Sequence, residues 1–314
     1  MTALGILAGW VADLAVGDPR RGHPVAVFGA AAARLEARWW ADRRGAGVLY
    51  TAACVGMPTA AAWALHRRLR SPAARGALLA AVTWAALGGR SLGREATAVA
   101  GAVEAGDLDT ARRRLPALAG RDPDGLDGAE IGRAVFESVA ENTADAVVAP
   151  LLWGAVAGPA GVVAYRCANT LDAMVGHRSA RHARFGWASA RLDDALTWVP
   201  ARVTALLAAC CAPLAGGSAR RAVAAWRRDG GNHPSPNAGR VEAAFAGALG
   251  VRVGGVNRYG PRVEARGPLG DGPSPDAATV RAAVRLSTLV AAAAAVLAAA
   301  IRGAAAPARA GGRR

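Results

Sequence analysis

Four apolar segments, each about as long as a membrane-crossing helix, constrain the fold of this chain more than any other feature. They cover residues 46–65, 146–165, 195–214 and 284–301. A helix needs roughly 20 apolar residues to cross the hydrocarbon core of a bilayer, and each segment is close to that length. Two shorter apolar segments, residues 4–16 and 77–89, are weaker candidates for membrane spans and are short enough to be re-entrant or buried helices instead. The sequence therefore predicts an all-α, polytopic integral membrane protein with about four to six membrane helices.

The composition agrees with this class of protein. Hydrophobic residues make up 53% of the 314 residues and only 19% are charged, which is too apolar for an ordinary soluble domain of this length. We predict a single membrane domain over residues 1–314. Its polar stretches, at about 90–136, 166–194 and 215–280, are predicted to be helical loops that carry the functional motifs. The basic tail at 303–314 is predicted to be disordered.

The net charge of +15 comes from arginine, because the chain contains no lysine. The arginines are scattered between the apolar segments and form no single basic module, so we predict membrane anchoring and anionic ligands and no nucleic acid partner. The missing lysine excludes a Schiff base with pyridoxal phosphate, a Walker A motif and a Ser-Lys dyad. Any phosphate chemistry must therefore use arginine, backbone amides and a metal ion.

Three carboxylates at four-residue spacing lead directly into the second apolar segment. Glu137, Glu141 and Asp145 share one face of a helix, with Asn142 beside them. Like charges on one face repel each other unless a cation lies among them, so the stripe is typical of a site for Mg²⁺ or for phosphate-bound Mg²⁺. A helix end whose acids face water would explain the same residues equally well.

Two further acidic motifs lie beside the apolar segments. Asn169 and Asp172 follow the second segment at a spacing that directs both side chains toward one ligand, and Arg166 precedes them. Asp193 and Asp194 come immediately before the third segment. Acidic residues next to arginine are a common way to hold a phosphate through a metal ion, so these motifs predict a site at the membrane edge.

Arginine and turn residues supply candidate phosphate ligands. Arg202 lies inside the third apolar segment, where it needs a counter-charge, an anionic ligand or a route to the membrane interface. In the long polar loop that follows, His233, Ser235 and Asn237 lie just before a predicted helix start, where free backbone amides can bind an anion. A plain turn with a helix cap explains the same loop.

Taken together, five ordered motifs resemble the adenosylcobinamide-phosphate synthases of cobalamin biosynthesis, the CobD/CbiB family. The resemblance covers roughly residues 4–301. Ala146 and His177 depart from the family pattern, which tends to have glycine and tyrosine there. The motifs are Gly17-Asp18-Pro19 with His23-Pro24-Val25 and Gly29; Glu137 with Glu141-Asn142-Thr143 and Asp145; Asn169-Thr170-Leu171-Asp172 with Met174 and Gly176; Ala190-Arg191-Leu192-Asp193-Asp194 with Pro200-Ala201-Arg202; and Ser235-Pro236-Asn237-Ala238-Gly239 followed by Ala246-Gly247-Ala248-Leu249-Gly250.

The resemblance implies an ATP-dependent amide ligation. The ring D propionate of adenosylcobyric acid would be joined to the amine of aminopropanol phosphate, giving adenosylcobinamide phosphate, or to free aminopropanol, giving adenosylcobinamide. It implies ATP as co-substrate, the corrinoid and aminopropanol phosphate as substrates, the lipid bilayer as surroundings and other cobalamin-assembly membrane enzymes as partners. Mg²⁺ is the expected cofactor. The expected location is the cell membrane, with multiple passes and a cytoplasmic active site.

We assign hypothetical roles to the motif residues on this basis. The predicted catalytic residues are Glu137, Glu141, Asp145 and Asp172. The predicted Mg²⁺ ligands are Glu141, Asp145, Asp172, Asp193 and Asp194. The predicted substrate- or phosphate-binding residues are Asn142, Arg166, Asn169, Arg202, His233, Ser235 and Asn237.

Two other classes of protein fit the residues. A transporter also places carboxylates and arginine at the ends of membrane helices. A non-catalytic membrane sensor similar to the AmpE proteins needs no acidic cluster and would tolerate its neutralisation. A metal-dependent membrane transferase is a chemical neighbour, since Asn169 to Asp172 weakly resembles the aspartate motifs of prenyltransferases, but the paired-aspartate pattern of those enzymes is missing.

Overall fold

The computed structural model describes residues 2–19, 22–177, 179–259 and 262–305. Helices dominate it, and the all-α prediction is confirmed. Two π-helical segments, Ala144–Val148 and Asp172–Gly176, flank α8, and one antiparallel hairpin consists of β1 (Val253–Tyr259) and β2 (Arg262–Leu269). The α-helices of the described residues are α1 (Thr2–Val16), α2 (Pro24–Trp39), α3 (Arg44–Arg68), α4 (Pro72–Ala86), α5 (Gly89–Glu104), α6 (Leu108–Arg114), α7 (Gly128–Thr143), α8 (Ala149–Leu171), α9 (Trp187–Cys211), α10 (Ala219–Asp229), α11 (Ala238–Leu249) and α12 (Ala277–Ala304).

Four helical stretches of the described residues are long and apolar enough to cross a membrane. Each contains one of the four predicted apolar segments, so the polytopic membrane class is confirmed. The two shorter segments belong to α1 and α4, which have 15 residues each and pack closely together. Gly5 and Gly9 of α1 make this possible, because a side chain on either would overlap α4. The four stretches are Arg44–Arg68, Gly128–Gly176, Trp187–Ala215 and Ala277–Ala304.

The second of these stretches reverses its direction in the middle of the apolar segment. Gly158 has φ 63° and ψ −150°, a conformation that is essentially restricted to glycine, and Pro159 follows it. In a straight helix Asp145 and Asn169 would lie roughly 36 Å apart. Instead, Asn169 Nδ2 lies 3.4 Å from Asp145 Oδ2. The chain therefore forms two antiparallel legs that meet at Gly158.

This reversal corrects the prediction that residues 146–165 form one membrane span. We call residues 144–157 the first leg and residues 159–172 the second leg. Each leg rises only about 20 Å, less than the roughly 30 Å of a bilayer core. Both ends of this apolar segment therefore lie on the same side, and the polar motifs at its two ends meet.

Gly158→Ala is expected to lower the free energy of unfolding by roughly 1–3 kcal/mol, because alanine is strained at this backbone conformation. The added Cβ would also press against the guanidinium of Arg302. Thermal unfolding of the purified protein in detergent measures the effect. Gly101→Ala in α5 is the control, since its Cβ meets open space and alanine favours a helix. Equal melting temperatures for the two variants would contradict the reversal.

The core consists of α7, the two legs and α11, surrounded by α5, α9 and α12. Phe136 of α7 and Phe245 of α11 are fully buried. The start of α7 is fixed by a capping box, in which Asp127 Oδ1 accepts from the Glu130 amide at 2.8 Å and Glu130 Oε2 accepts from the Asp127 amide at 3.0 Å. This cap sets where the acids of α7 point.

The β-hairpin was not predicted, because residues 215–280 read as helical loops. Its register pairs Asn257 with Glu264 and Gly255 with Arg266. Asn257 is 2% exposed, whereas Val256 on the opposite face is 54% exposed. Between Gly255 and Arg266 the hairpin therefore turns its polar face inward, whereas Val253 and Leu269 at its base are buried in the hydrophobic core.

The predicted tail begins later than expected. Helix α12 continues to Ala304, so the first residues of the predicted disordered segment are helical. Residues 306–314 lie outside the described residues.

Candidate functional site

The two π-helical segments lie opposite each other where the legs begin and end. Each carries one acid of the predicted site, Asp145 in the first and Asp172 in the second. A π-helical turn inserts an extra residue and redirects the side chains around it, and such turns are frequent at functional sites. Any Cβ on Gly176 would overlap the carboxylate of Asp172, so this glycine is required for the position of that acid.

The amide of Asn169 connects three helical elements. Its Nδ2 donates to Asp145 Oδ2 at 3.4 Å and to Asp193 Oδ1 of α9 at 3.3 Å. Its Oδ1 accepts from Arg166 Nη1 at 3.2 Å. One side chain thus holds two carboxylates near each other and places a guanidinium on the opposite side of the amide.

These acids surround one cavity of about 150 Å³. The turn before α11 closes one side of it, and the C-terminal end of α7 closes another. Seven of the predicted site residues line this cavity, so the structure brings the sequence motifs together. They are Glu141, Asp145, Asp172, Asp193, Asp194, Ser235 and Asn237.

Hydrogen bonds attach the turn before α11 to α9. Ser235 Oγ accepts from the backbone amides of Asn237 at 3.3 Å and Ala238 at 3.2 Å. Asn237 Nδ2 donates to the Asp194 carbonyl at 2.8 Å, and Asn237 Oδ1 accepts from Arg202 Nη1 at 3.0 Å. The guanidinium of Arg202 therefore fixes a residue that lines the cavity, and it also lies over the ring of Trp198.

Six predicted site residues lie outside the cavity lining: Arg166, Asn169 and Arg202, described above, and Glu137, Asn142 and His233. Glu137 forms a buried ion pair with Arg121. Asn142 donates to the carbonyl of Ser138 within its own helix at 2.9 Å. His233 Nδ1 accepts from the Ser235 amide at 3.0 Å, so this ring supports the turn from behind. Their proposed contacts with substrate remain predictions.

Glu242 is a buried acid that the sequence reasoning missed. It is 0% exposed, lies one residue after the cavity-lining Val241, and faces His233 Nε2 at 3.7 Å. Burial raises the pKa of Glu242, and the nearby carboxylates of Glu137 and Glu141 raise it further. The available signal was a single acid in the apolar, alanine-rich sequence of α11.

The His233 ring is held neutral by its surroundings. Burial, together with the nearby positive charge of Arg266, lowers the pKa of His233 to about 4. In the unfolded chain a histidine has a pKa near 6.5. The folded protein therefore resists a proton that the unfolded chain accepts, so stability falls as the pH drops from about 6.5 toward 4.

His233→Asn is expected to flatten this part of the stability profile, since an asparagine can still accept from the Ser235 amide but does not titrate. The difference between wild type and variant should reach up to about 3 kcal/mol between pH 7 and pH 4. Thermal unfolding in detergent at a series of pH values gives both curves. Parallel curves would contradict a neutral, buried imidazole.

The donor set of the cavity fits a divalent cation accompanied by phosphate. Five carboxylates around one small space repel each other, and Mg²⁺ prefers oxygen ligands. Among the described residues, no three His, Cys, Asp or Glu side chains are placed to hold a metal by themselves. Mg²⁺ is commonly held by one or two carboxylates together with waters and substrate phosphates, and these acids can supply that number.

Fold and site together define a polytopic membrane protein with a carboxylate-lined cavity at the base of a helical reversal. The family model described as CobD/Cbib protein matches residues 6–287. The chain therefore belongs to the CobD/CbiB family, and its role is in cobalamin biosynthesis. This confirms the resemblance carried by the five motifs.

Relatives named cobalamin biosynthesis protein CobD match over most of their length. The protein of Mycobacterium tuberculosis (strain H37Rv) is 54% identical over 296 residues, 94% of each chain. That of Geobacter metallireducens is 45% identical over 295 residues, 91% of this chain and 93% of the relative. A relative from Rhodobacter capsulatus is 45% identical over 274 residues, 84% of this chain and 85% of the relative. No solved structure matches this chain.

Proposed function

We propose that this protein is an adenosylcobinamide-phosphate synthase of the cell membrane. The reaction joins the ring D propionate of adenosylcobyric acid to the amine of aminopropanol phosphate, with ATP converted to ADP and phosphate. The observation that carries this proposal is the cavity in which five carboxylates meet the Ser235 to Asn237 turn. A site for two negatively charged reactants needs cations, and a site for an amine nucleophile needs proton acceptors; this cavity supports both.

The chemistry requires an activated carboxylate. A propionate oxygen attacks the γ-phosphorus of ATP, and ADP leaves as the bond to the γ-phosphoryl group breaks. The amine then attacks the carbonyl carbon of the acyl phosphate, and inorganic phosphate leaves as the amide bond forms. The amine loses a proton in this step, so a nearby carboxylate must accept it.

Asp145 and Asp193 suit the role of proton acceptor. Both line the cavity and both accept from the Asn169 amide, which orients one oxygen of each and leaves the other free for the amine. The ammonium form of the amine is attracted to the same acids, which concentrates this substrate next to its acceptor. We assign the two residues to this step.

Asp172, Asp194 and Glu141 lie around the same cavity and suit phosphate binding through a cation. Mg²⁺ held by them would neutralise the charge of the ATP phosphates. Arg166 adds a fixed positive charge on the far side of Asn169. The turn at Ser235 is a second place for a phosphate. Arg202 donates a hydrogen bond to Asn237, two residues after Ser235, and so brings a positive charge to this turn.

The proposed reaction takes place at the cytoplasmic edge of the membrane, where ATP is available. Both ends of the helical reversal lie on one side, so the cavity opens at one membrane edge. Other membrane enzymes of cobalamin assembly are the proposed partners, because a corrinoid product at this edge is accessible to them.

The test is a ligation assay with the purified, full-length protein in nanodiscs. Adenosylcobyric acid, aminopropanol phosphate, ATP and Mg²⁺ are supplied, and mass spectrometry follows adenosylcobinamide phosphate while ADP is measured in parallel. We expect one ADP per amide formed, and no product without ATP. Deleting the gene should stop cobinamide formation and leave cobyric acid synthesis intact.

Two further measurements test the alternatives. Solute movement across the membrane of vesicles that contain the protein, without ATP consumption, would favour a transporter. Unchanged cobinamide formation after neutralisation of the acids that line the cavity would favour a sensor. Either result would overturn the proposed ligation.

A further inference from the structure

The end of the helical body opposite the acidic cavity carries a group of arginines. Gly158, where the two legs meet, lies at this end, because the acids of the cavity lie at the ends of the legs away from it. Helix α12 ends beside it, since Arg302 Nη1 donates to the Ala155 carbonyl of the first leg at 3.3 Å. The connection between α3 and α4 lies there too, because the charges of Arg75 and Arg302 both act on the His66 ring. We call the following residues the basic cluster: Arg67, Arg68, Arg70, Arg75 and Arg302.

The chain supplies no carboxylate to the basic cluster. Its members belong to α3, α4, α12 and the turn between α3 and α4, and the reversal lies beside them. Residues 43–94, 146–171 and 277–314, which contain all of these elements, include no Asp or Glu. No ion pair within the described part of the chain involves any of the five arginines. Positive charge without a counter-charge attracts an anion from outside the protein.

The guanidinium groups of the cluster are open to a ligand. Arg67, Arg68 and Arg70 are exposed. Arg75 is half-buried, and its Nε donates to the Leu69 carbonyl at 2.8 Å, which holds this charge at the end of α3. A guanidinium presents its N–H donors in a planar fork that matches two oxygens of a phosphate. The cluster therefore offers exposed donors and positive charge to a phosphate group.

Apolar surface leads up to the cluster. Trp63 of α3 is 57% exposed, Val156 of the first leg is 67% exposed and Val296 of α12 is 64% exposed. The guanidinium of Arg67 lies over the Trp63 ring, 5.7 Å from the ring centroid. Both α3 and α12 are long and apolar enough to cross a membrane, and both end at the cluster. Tryptophan and arginine at the end of an apolar helix are typical of the level of lipid headgroups.

We propose that the basic cluster binds the phosphate of a phospholipid whose headgroup carries a net negative charge. The exposed guanidinium groups donate to the phosphate oxygens, and the acyl chains lie along the exposed apolar residues of α3 and α12. A phosphatidylcholine headgroup balances its phosphate with an ammonium group, which the cluster repels, so the net charge of the headgroup decides between lipids. The proposal is independent of the ligation, because the acidic cavity lies at the other end of the legs.

The test measures which lipid the full-length protein retains. Protein in detergent is incubated with equal amounts of phosphatidylglycerol, phosphatidylethanolamine and phosphatidylcholine, and native mass spectrometry counts the bound lipids. We expect phosphatidylglycerol to be retained roughly tenfold or more over either zwitterionic lipid, because each arginine near a headgroup contributes roughly fivefold to the binding of an anionic lipid. Equal retention of the three lipids would overturn the proposal.

Two variants locate the preference. One combines Arg67→Gln, Arg68→Gln and Arg70→Gln and keeps Arg75 and Arg302, whose hydrogen bonds to backbone carbonyls support the helix ends. Its preference for phosphatidylglycerol should fall below about threefold. The other, Arg70→Glu, is milder, because Arg70 lies in the turn outside both helices. It should lower retention of phosphatidylglycerol and leave that of phosphatidylcholine unchanged. A wild-type preference in both variants would contradict the site.

The matched control removes the same number of charges from another surface. Three exposed arginines of α10 that form no ion pair among the described residues are changed to glutamine together: Arg220, Arg221 and Arg227. This control should retain phosphatidylglycerol as wild type does. An equal loss in the two triple variants would show that the overall charge of the protein attracts the lipid, and would overturn the site.

A free phosphate ester carries the same anionic group as the lipid. Competition with soluble glycerol 3-phosphate therefore distinguishes the two sources. A lipid site should release little phosphatidylglycerol to this competitor, because the competitor lacks the apolar contacts of the acyl chains. Complete displacement at equal concentration would show that the cluster takes the free phosphate ester, and would overturn the lipid proposal.

Discussion

Glu137→Ala is expected to lower the free energy of unfolding by roughly 3–5 kcal/mol, the range for removing one partner of a buried ion pair. Glu137 is 2% exposed and Arg121 is 6% exposed, so the alanine variant leaves a buried guanidinium without its counter-charge. Glu137 Oε1 also accepts from the Gly254 amide at 2.8 Å, and this contact attaches the β-hairpin to α7. Chemical unfolding of the detergent-solubilised protein measures the loss.

The matched control is Glu104→Ala. Its partner Arg281 lies at 2.8 Å, but the side chains are 59% and 39% exposed, so water screens the pair and the loss of stability should be far smaller than for Glu137→Ala. Similar losses for both variants would show that the Glu137 pair is not effectively buried.

A double variant separates the structural role of Glu137 from its predicted catalytic role. Glu137→Met combined with Arg121→Met removes both charges, and such replacements often recover the stability that a single removal costs. If ligation returns together with stability, Glu137 acts through the fold. If stability returns and ligation does not, the catalytic prediction is supported.

The sequence predicted that these acids come together at one site, but it did not predict that one of them, Glu137, lies outside the cavity. Spacing of four places Glu137, Glu141 and Asp145 on one helix face, and two of them line the cavity. Glu137 lies one turn before Glu141, where Arg121 reaches it from the loop before α7. That partner is a tertiary contact, and helix periodicity carries no information about it.

The helical reversal could be recognised only in part. Mean hydropathy over residues 146–165 is that of a membrane span whether the chain runs straight or turns back. Gly158 followed by Pro159 was the local signal, because this pair breaks helices and allows a positive φ. The contact between Asp145 and Asn169 then decides between a kink and a reversal, and only the three-dimensional structure shows it.

The β-hairpin escaped prediction because its polarity is inverted beyond its base, where Val253 and Leu269 are buried in the hydrophobic core. A surface hairpin normally buries alternate apolar residues, but here Val256 and Val263 are outside, and Asn257 is inside. The alternation of apolar and polar residues therefore predicts the wrong buried face of a hairpin when the surface that the hairpin covers is polar. Glu242 was missed for a similar reason, since one acid in an apolar helix gives no spacing pattern to read.

Asp193→Asn is expected to lower kcat/KM for ligation by roughly 10²–10⁴-fold, the range for loss of a general base. Asparagine has the same shape as aspartate and retains an oxygen for the Asn169 donor, which lies 3.3 Å from Asp193 Oδ1. The variant therefore removes charge and basicity and leaves packing intact. Asp271→Asn, at a carboxylate that is 79% exposed, is the control and should keep wild-type activity.

The melting temperature of Asp193→Asn, measured without substrates, is an independent test, because it is expected to rise while the activity falls. Five carboxylates line this cavity, so neutralising one relieves repulsion and should raise the melting temperature while activity is lost. Removal of an acid with a purely structural role would lower both the melting temperature and the activity.

The double variant with Asp145→Asn should cost little more activity than either single variant if the two acids share one proton-accepting task. Activity of Asp193→Asn within about threefold of wild type, or independent losses that multiply in the double variant, would contradict that shared task.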